Sequence, residues 1–319
     1  MQTFDVFNGD ADGICSLIQL RLSSPKESTL ITGVKRDIQL LSGLEVKKND
    51  EINVLDVSLD KNRSDLIRLL NSGAKIFYCD HHFAGDIPVH QNLTNLINTG
   101  SDICTSVLIN KHLDGAYKNW AIVGSFGDNL KKTALSLAKK THLTESELKS
   151  MEKLGVLINY NGYGSDLNDL HFDPAELYSI LVKYSDPRDF IKNDSGYFNK
   201  LSNAYIDDVR KAESAECIFS KEKCAAYLLP DEKWARRVSG VFGNLLANKF
   251  IDRANAVIIH KKDGFYLISV RAPLSNKSDA DLLCKEFPTG GGRKAAAGIN
   301  SLPAEQLSTF LDKLSTTYS

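Results

Sequence analysis

The sequence predicts an α/β protein of two domains: a larger amino-terminal domain with a mostly parallel sheet flanked by helices, and a smaller carboxy-terminal α/β domain. Three observations carry this prediction. Apolar runs of strand length alternate with segments of helical period through the first hundred residues. The same alternation resumes near residue 223 after a polar, turn-rich interval. The chain has 319 residues, 42% of them hydrophobic, enough for about two cores at roughly 150 residues per domain.

The elements follow in order. Phe4, Val6 and Phe7 form an apolar strand that runs into Asn8-Gly9-Asp10-Ala11-Asp12-Gly13, after which Ile14, Leu17, Ile18 and Leu22 recur at helical spacing. Ile52, Val54 and Leu55 lead to Asp56 and then to a helix carrying Leu66, Ile67, Leu69 and Leu70. Ile76, Phe77 and Tyr78 lead to Asp80-His81-His82. The stretch from about Ile103 to Ile180 reads as largely helical and contains Gly127-Asp128-Asn129. Turn residues cluster between Ser185 and Gly196, and Asn199 to Phe219 reads as a polar bridging helix. Strands are expected at Ala225 to Leu229, Ala256 to His260 and Phe265 to Val270, with a helix from Trp234 to Phe250 and a hairpin turn at Asp263-Gly264. The expected division is therefore a first domain over 1–190, a helical linker over 191–222 and a second domain over 223–319.

Composition excludes several classes of function. No window approaches the ~18 consecutive apolar residues of a membrane helix, and the amino terminus has no signal-peptide pattern, so the expectation is a cytoplasmic protein. Six cysteines without a C-x-x-C pair fit reduced thiols better than disulfides or a zinc knuckle. Lys+Arg 39 against Asp+Glu 40 leaves a formal charge of −1, which argues against a binder of long nucleic-acid polymers.

Parallel strands end on one side of their sheet, where open α/β proteins bind ligands, so Asp10, Asp12, Asp56 and Asp80 should share one rim. Carboxylates a few Å apart repel too strongly to stand uncompensated. A divalent cation answers this, and oxygen donors with one or two imidazoles suit Mn²⁺ or Mg²⁺ rather than structural zinc. Two such ions can clamp a phosphoryl group for in-line displacement, which points to phosphoester hydrolysis. Singly, each acid has an ordinary alternative as a turn or helix-capping residue. Neighbouring side chains on an extended segment diverge, so at most one of His81 and His82 should ligate a given ion.

In their order, Asn8-Gly-Asp10-Ala-Asp12-Gly13, Val54-Leu-Asp56, Cys79-Asp80-His81-His82 and Gly127-Asp128-Asn129 resemble the four consecutive motifs of the DHH phosphoesterase family, and Gly290-Gly291-Gly292-Arg293-Lys294 through Gly298 resembles the glycine signature of its DHH-associated carboxy-terminal domain. The likeness is to members of the oligoribonuclease or nano-RNase type and covers nearly the whole chain. It implies a cleft between two domains and two Mn²⁺ ions, with Mg²⁺ as the alternative, held on the larger domain. Carried over by motif, Asp10, Asp12, Asp56, His81 and Asp128 are metal ligands, Asp80 orients His81, and His82 lies over the scissile phosphate; Asp12 is alternatively a base facing water. Two departures stand out. Asn8, the remaining candidate ligand, occupies a position where relatives carry histidine or aspartate, and an amide is a poorer ligand than either. Arg293 stands where the signature usually continues with histidine, and its guanidinium forks to phosphate oxygens or to guanine.

On its own terms the glycine run offers backbone N–H groups to an anion, with a helix through Lys294 to Ala297 adding its positive end; a flexible loop or tight backbone packing is the alternative. Arg271, at a strand end, is a second candidate for phosphate contact, as the resemblance also implies. The expected activity is an Mn-dependent phosphodiesterase cutting short oligoribonucleotides, especially linear dinucleotides of the pGpG type, to mononucleotides. The 5′-phosphate is expected on Gly290, Gly291, Gly292, Arg293, Lys294 and Arg271. A phosphatase for 3′-phosphoadenosine 5′-phosphate and a non-catalytic dinucleotide sensor are the alternatives. The expected partner is thus a short RNA or dinucleotide, with no membrane and no long polymer, and with homodimer formation left open.

Overall fold

A computed structural model describes all 319 residues, which divide into two compact units, Met1–Ser202 and Asn203–Ser319. The first unit is built on five parallel strands, β1 (Thr3–Phe7), β2 (Thr29–Ile31), β3 (Glu51–Leu55), β4 (Lys75–Asp80) and β5 (Leu93–Ile97), in the order β2-β1-β3-β4-β5. The central strands are the three read from apolar runs. The edge strands β2 and β5 escape such a reading because they are short, part-exposed and carry polar residues, as sheet edges commonly do.

Nine helices belong to or begin in this unit: α1 (Ala11–Ser23), α2 (Leu59–Asn71), α3 (Thr105–His112), α4 (Lys118–Gly127), α5 (Lys131–Ala138), α6 (Glu145–Gly162), α7 (Pro174–Leu181), α8 (Pro187–Asn193) and α9 (Ser195–Glu213). The last runs across the division between the units. On one face of the sheet, Val6, Ile52, Val54 and Tyr78 pack with Leu66, Leu69 and Leu70 of α2. Helix α1 is buried along most of its length and packs against α3, α4 and α6. Its far end is tied to β1 by a buried fork: Arg21 Nε and Nη2 donate to Asp5 Oδ2 and Oδ1 at 2.7 and 2.6 Å, and Asn53 and Ser28 also donate to Asp5.

The second unit contains β6 (Glu216–Ser220), β7 (Cys224–Leu229), α10 (Lys233–Lys249), β8 (Ala254–His260), β9 (Phe265–Arg271), α11 (Ala280–Lys285), β10 (Gly290–Arg293), β11 (Ala296–Pro303) and α12 (Leu307–Thr317). Its six strands lie in the order β10-β11-β9-β8-β7-β6; only β7 and β8, joined through α10, are parallel. Ala256, Ile258, Ile268, Val270, Ile299, Phe310 and Leu314 share its core. Gly264, with φ 84°, closes the β8–β9 hairpin as its sequence suggests.

Two local expectations are corrected. The polar helix extended to Phe219 by its sequence ends at Glu213, and Glu216 begins a strand that pairs with β7. Lys294 to Ala297 is not a helix: Gly290 to Arg293 pairs antiparallel with Ala296 to Ile299, and Lys294-Ala295 is the connection between them. All six cysteines are free thiols, buried except for Cys217. No helix is long and apolar enough to cross a membrane.

Removing Arg21 leaves the Asp5 carboxylate buried without its cation. Arg21→Ala is therefore expected to cost about 3–5 kcal/mol in urea denaturation followed through the first unit; a loss under about 1 kcal/mol would show that the hydrogen bonds from Asn53 and Ser28 suffice to hold the carboxylate.

Candidate metal centre

The strand order places the reversal of direction between β1 and β3, the position at which open α/β sheets leave a crevice at their carboxyl ends. Asn8, Asp10 and Asp12 follow β1, Asp56 follows β3, and Asp80 ends β4. Asp128 arrives from another direction, as the residue capping α4. That helix comes close because residue 127 is glycine: a Cβ there would stand 2.3 Å from Ala11 Cβ.

Each acid is held by the backbone. Asp10 caps α1, its Oδ1 accepting the N–H groups of Asp12 and Gly13 at 3.0 and 3.1 Å. Asp12 accepts the N–H of Thr105 at 2.7 Å and of Ser106 at 2.8 Å, one on each oxygen, at the start of α3. Asp56 has φ 60°, a left-handed conformation that aspartate tolerates better than most residues and that is concentrated at functional turns. Its Oδ1 accepts from Thr105 Oγ1 at 3.0 Å.

His81 Nδ1 lies 3.1 Å from the Ile103 carbonyl, which fixes the proton on Nδ1 and leaves Nε2 as the basic nitrogen. Nε2 stands 3.4 Å from Asp56 Oδ1, 3.8 Å from Asp128 Oδ2 and 3.9 Å from Asp12 Oδ2. Asp80 is not the partner of His81; it accepts from His82 Nδ1 at 2.8 Å, and its Oδ2 is buried with no hydrogen-bond partner. The two imidazoles do not diverge either. The strand ends at Asp80 and the chain bends at His82, so the ring centroids are 4.5 Å apart. Donor atoms of Asp56, His81 and His82 all fall within 4.8 Å of one another.

The electrostatics show what the cluster lacks. Burial raises the pKa of Asp56 well above the ordinary carboxylate range, and the charges of Asp12, Asp10, Asp80 and Asp128 add to the rise. Asp128 is raised by burial against the pull of Lys35. Burial alone would raise Asp10 also, but the Lys35 ammonium and the Gly13 N–H bring it down to about 2. Lys35 is not recognisable from sequence. It lies in the loop after β2, without periodicity or motif around it, yet its Nζ pairs with Asp10 Oδ2, donates to Asn159 Oδ1 at 2.9 Å and stands 3.9 Å from Asp128 Oδ1. Thr105, Asn159 and the Ile103 carbonyl are equally hidden.

The donor set fits a divalent ion. Bonds of ~2.1 Å place donors round one ion ~3.0 to ~4.2 Å apart, and the separations of His81 Nε2 from the Asp56, Asp128 and Asp12 oxygens fall in that interval. Asp56, His81 and Asp128 would hold the ion, with Asp12 oriented beside them. The Asn8 side is poorer, since its Oδ1 accepts from Asp10 N and its Nδ2 donates to the Lys35 carbonyl.

The second unit gathers its own candidates. Arg293 pairs with Ala296, which pairs with Arg271, so the two arginines occupy one row and one face, about 10 Å apart across β10, β11 and β9. Arg271 Nε donates to Asn244 Oδ1 at 2.7 Å, while Arg293 and Lys294 are exposed. Two of the three glycines answer to packing: a Cβ at 290 would meet the Cys284 carbonyl at 1.8 Å, and Gly292 has φ 143°. Gly291 has open space where a Cβ would be.

The raised Asp56 gives a stability test. The folded protein holds this proton more tightly than the unfolded chain, whose aspartate titrates near 3.8, so metal-free stability falls as pH rises above that value towards the folded pKa. In EDTA near pH 7.5, Asp56→Asn should melt higher than the parent, by about 1–2 kcal/mol of added stability; a lower melting temperature would contradict the crowding of charge described above.

No protein-family model matches the sequence, and no curated protein matches it. Solved structures do. One is a DHH domain described as belonging to a family of ribosomal proteins, at 13% identity and TM-score 0.64, covering 99% of this chain and 86% of that one. A second is the pGpG-specific phosphodiesterase PggH from Vibrio cholerae, at 12% identity and TM-score 0.59, covering 99% of this chain and 100% of that one. A third is the exonuclease RecJ bound to manganese, at 17% identity and TM-score 0.52, covering 99% of this chain and 89% of that one. At such identities the likeness is one of architecture, and the chain has the fold of the DHH-domain proteins.

Proposed function

We propose that this protein is a divalent-metal-dependent phosphodiesterase that hydrolyses linear dinucleotides and short oligoribonucleotides to mononucleotides. The observation that carries the reading is the convergence of His81 Nε2 with the carboxylates of Asp12, Asp56 and Asp128 at the switch point of a parallel sheet. A phosphodiester is the substrate class that such a centre suits, because its charge develops on oxygens that a cation can neutralise. A short substrate is supported by the formal charge of −1, and by the full-length match to a fold also used by a pGpG-specific phosphodiesterase. Manganese is the ion bound in the RecJ structure, and Mn²⁺ is our first choice.

When bound, the cation supplies positive charge to the phosphoryl oxygens and acidifies a water. The chain's residues supply the rest. Asp12, fixed by two backbone N–H groups, holds its place beside His81 and can accept a water proton. Asp80 fixes the ring of His82 through Nδ1, and in the imidazolium form of His82 the Nε2–H faces outward to donate its proton to a departing oxygen. Hydrolysis joins the water oxygen to phosphorus and breaks the P–O3′ bond; one proton leaves the water and one is taken up by the departing oxygen. Arg293 and Arg271 are the groups we assign to the 5′-phosphate, with Gly290, Gly291, Gly292 and Lys294 beside them.

One observation favours a second reading, a dinucleotide sensor without turnover: the Asp10 carboxylate is already neutralised by Lys35. Incubation with Mn²⁺ and pGpG, pApA, a 24-mer RNA or 3′-phosphoadenosine 5′-phosphate separates the options. Mononucleotides from the dinucleotides alone are expected. Binding without products would establish the sensor, and phosphate release from phosphoadenosine phosphate alone would establish a phosphatase.

Two substitutions probe the roles. His81→Ala should reduce kcat on the order of 10²–10³-fold, and Asp80→Ala about 10–100-fold, each with an unchanged circular dichroism spectrum; ordinary turnover in either would remove the assignment. Arg293→Ala should raise KM for pGpG roughly 10-fold while leaving kcat near its parent value; an unchanged KM would give the second unit another task.

A further inference from the structure

The Asp10 side of the cluster is built around a lysine. We infer that the Lys35 ammonium fills one of the two cationic positions expected of this centre, so that the site takes a single divalent ion, on the His81 side. The inference rests on the reading of the cluster as a divalent-metal phosphodiesterase site, and it narrows that reading.

On the Asp10 side the donors a second ion would need are committed. Asp10 Oδ1 accepts two backbone N–H groups, and Oδ2 is paired with Lys35 Nζ. Asn8 Oδ1 accepts from Asp10 N at 3.2 Å, and its Nδ2 donates to the Lys35 carbonyl at 3.3 Å. Both ends of the Asn8 amide are thus engaged within the protein, one accepting and one donating, which an aspartate could not do and which leaves Oδ1 a poor ligand for a metal ion.

The surroundings also hold the lysine itself. Its N–H donates to the Gly162 carbonyl at 2.8 Å, Asn159 Oδ1 accepts from Nζ at 2.9 Å, and Nζ stands 5.7 Å from the centre of the Tyr163 ring. Asp10 is 2% exposed and the Lys35 side chain is partly buried, so their attraction is less screened than that of a surface pair. An ion placed against Asp10 would have to displace the ammonium or stand within a few Å of it, at a large Coulombic cost. On the other side, His81 Nε2 and the Asp56 and Asp128 oxygens form a donor set without any cation of their own closer than Lys35, which is 3.9 Å from Asp128 Oδ1.

The test is a count of metal. The full chain, stripped with EDTA and dialysed, is titrated with Mn²⁺ by isothermal titration calorimetry, and the saturated sample is read by electron paramagnetic resonance. One ion per chain with the spectrum of an isolated Mn²⁺ is expected. The double variant Asn8→Asp, Lys35→Ala, which places a carboxylate at position 8 and removes the ammonium, should bind two ions per chain and show exchange coupling between them. Two coupled ions in the parent would overturn the inference while leaving the metal centre intact. No bound ion in the parent would overturn both. A double variant that folds and still binds one ion would also contradict the role given to Lys35; if it does not fold, the parent count decides.

Discussion

Five carboxylates gathered at the ends of three parallel strands and one helix are the constraint on which the rest of this site depends. Asp10, Asp12, Asp56 and Asp80 are buried, and Asp128 stands beside them, so their repulsion is relieved only by what the protein places among them. The fold answers in three ways. Helix starts supply backbone N–H groups to Asp10 and Asp12. Lys35 supplies one positive charge to Asp10. What is left, around Asp56 and Asp128, is a raised proton affinity and an imidazole nitrogen aimed at three oxygens. That remainder would suit a divalent cation, and the phosphoester chemistry proposed above rests on such an occupant.

The strained backbone of Asp56 fits this view. A residue held at φ 60° with an ionisation that burial opposes costs stability, and the cost is sustained because β3, which leads into it, is locked in register between β1 and β4. Asp56 N donates to the Cys79 carbonyl at 3.0 Å, so the strained residue is tied to the strand that delivers Asp80, His81 and His82. The sheet and the site are therefore one construction: the register that packs the core also sets the spacing of the donors.

Much of the fold was legible because hydrophobic period and burial agree. The apolar runs at Phe4, Ile52 and Ile76 became the central strands, and the acids after them share the rim expected of parallel strands. Edge strands were not legible, since half-exposed polar residues such as those of Leu93–Ile97 carry no alternating signal. The glycine run misled for a different reason: Arg293, Lys294 and three alanines have helical propensity, but Gly290 and Gly292 fit only a close strand pairing, and tertiary packing overrode the local preference. Within the site, motif residues were visible, whereas their supports were not. Lys35, Thr105, Asn159 and the Ile103 carbonyl act through long-range contacts that leave no mark on their neighbours in sequence. The pairing of Asp80 with His82 rather than His81 follows from the bend after β4, which one-dimensional spacing does not encode.

The most direct measurement of the central claim is anomalous diffraction at the manganese edge from crystals of the full chain soaked in Mn²⁺. A strong peak is expected within coordination distance, ~2.1 Å, of His81 Nε2 and of oxygens from Asp56 and Asp128. A map with no peak among these side chains, or with manganese bound only elsewhere on the surface, would contradict it.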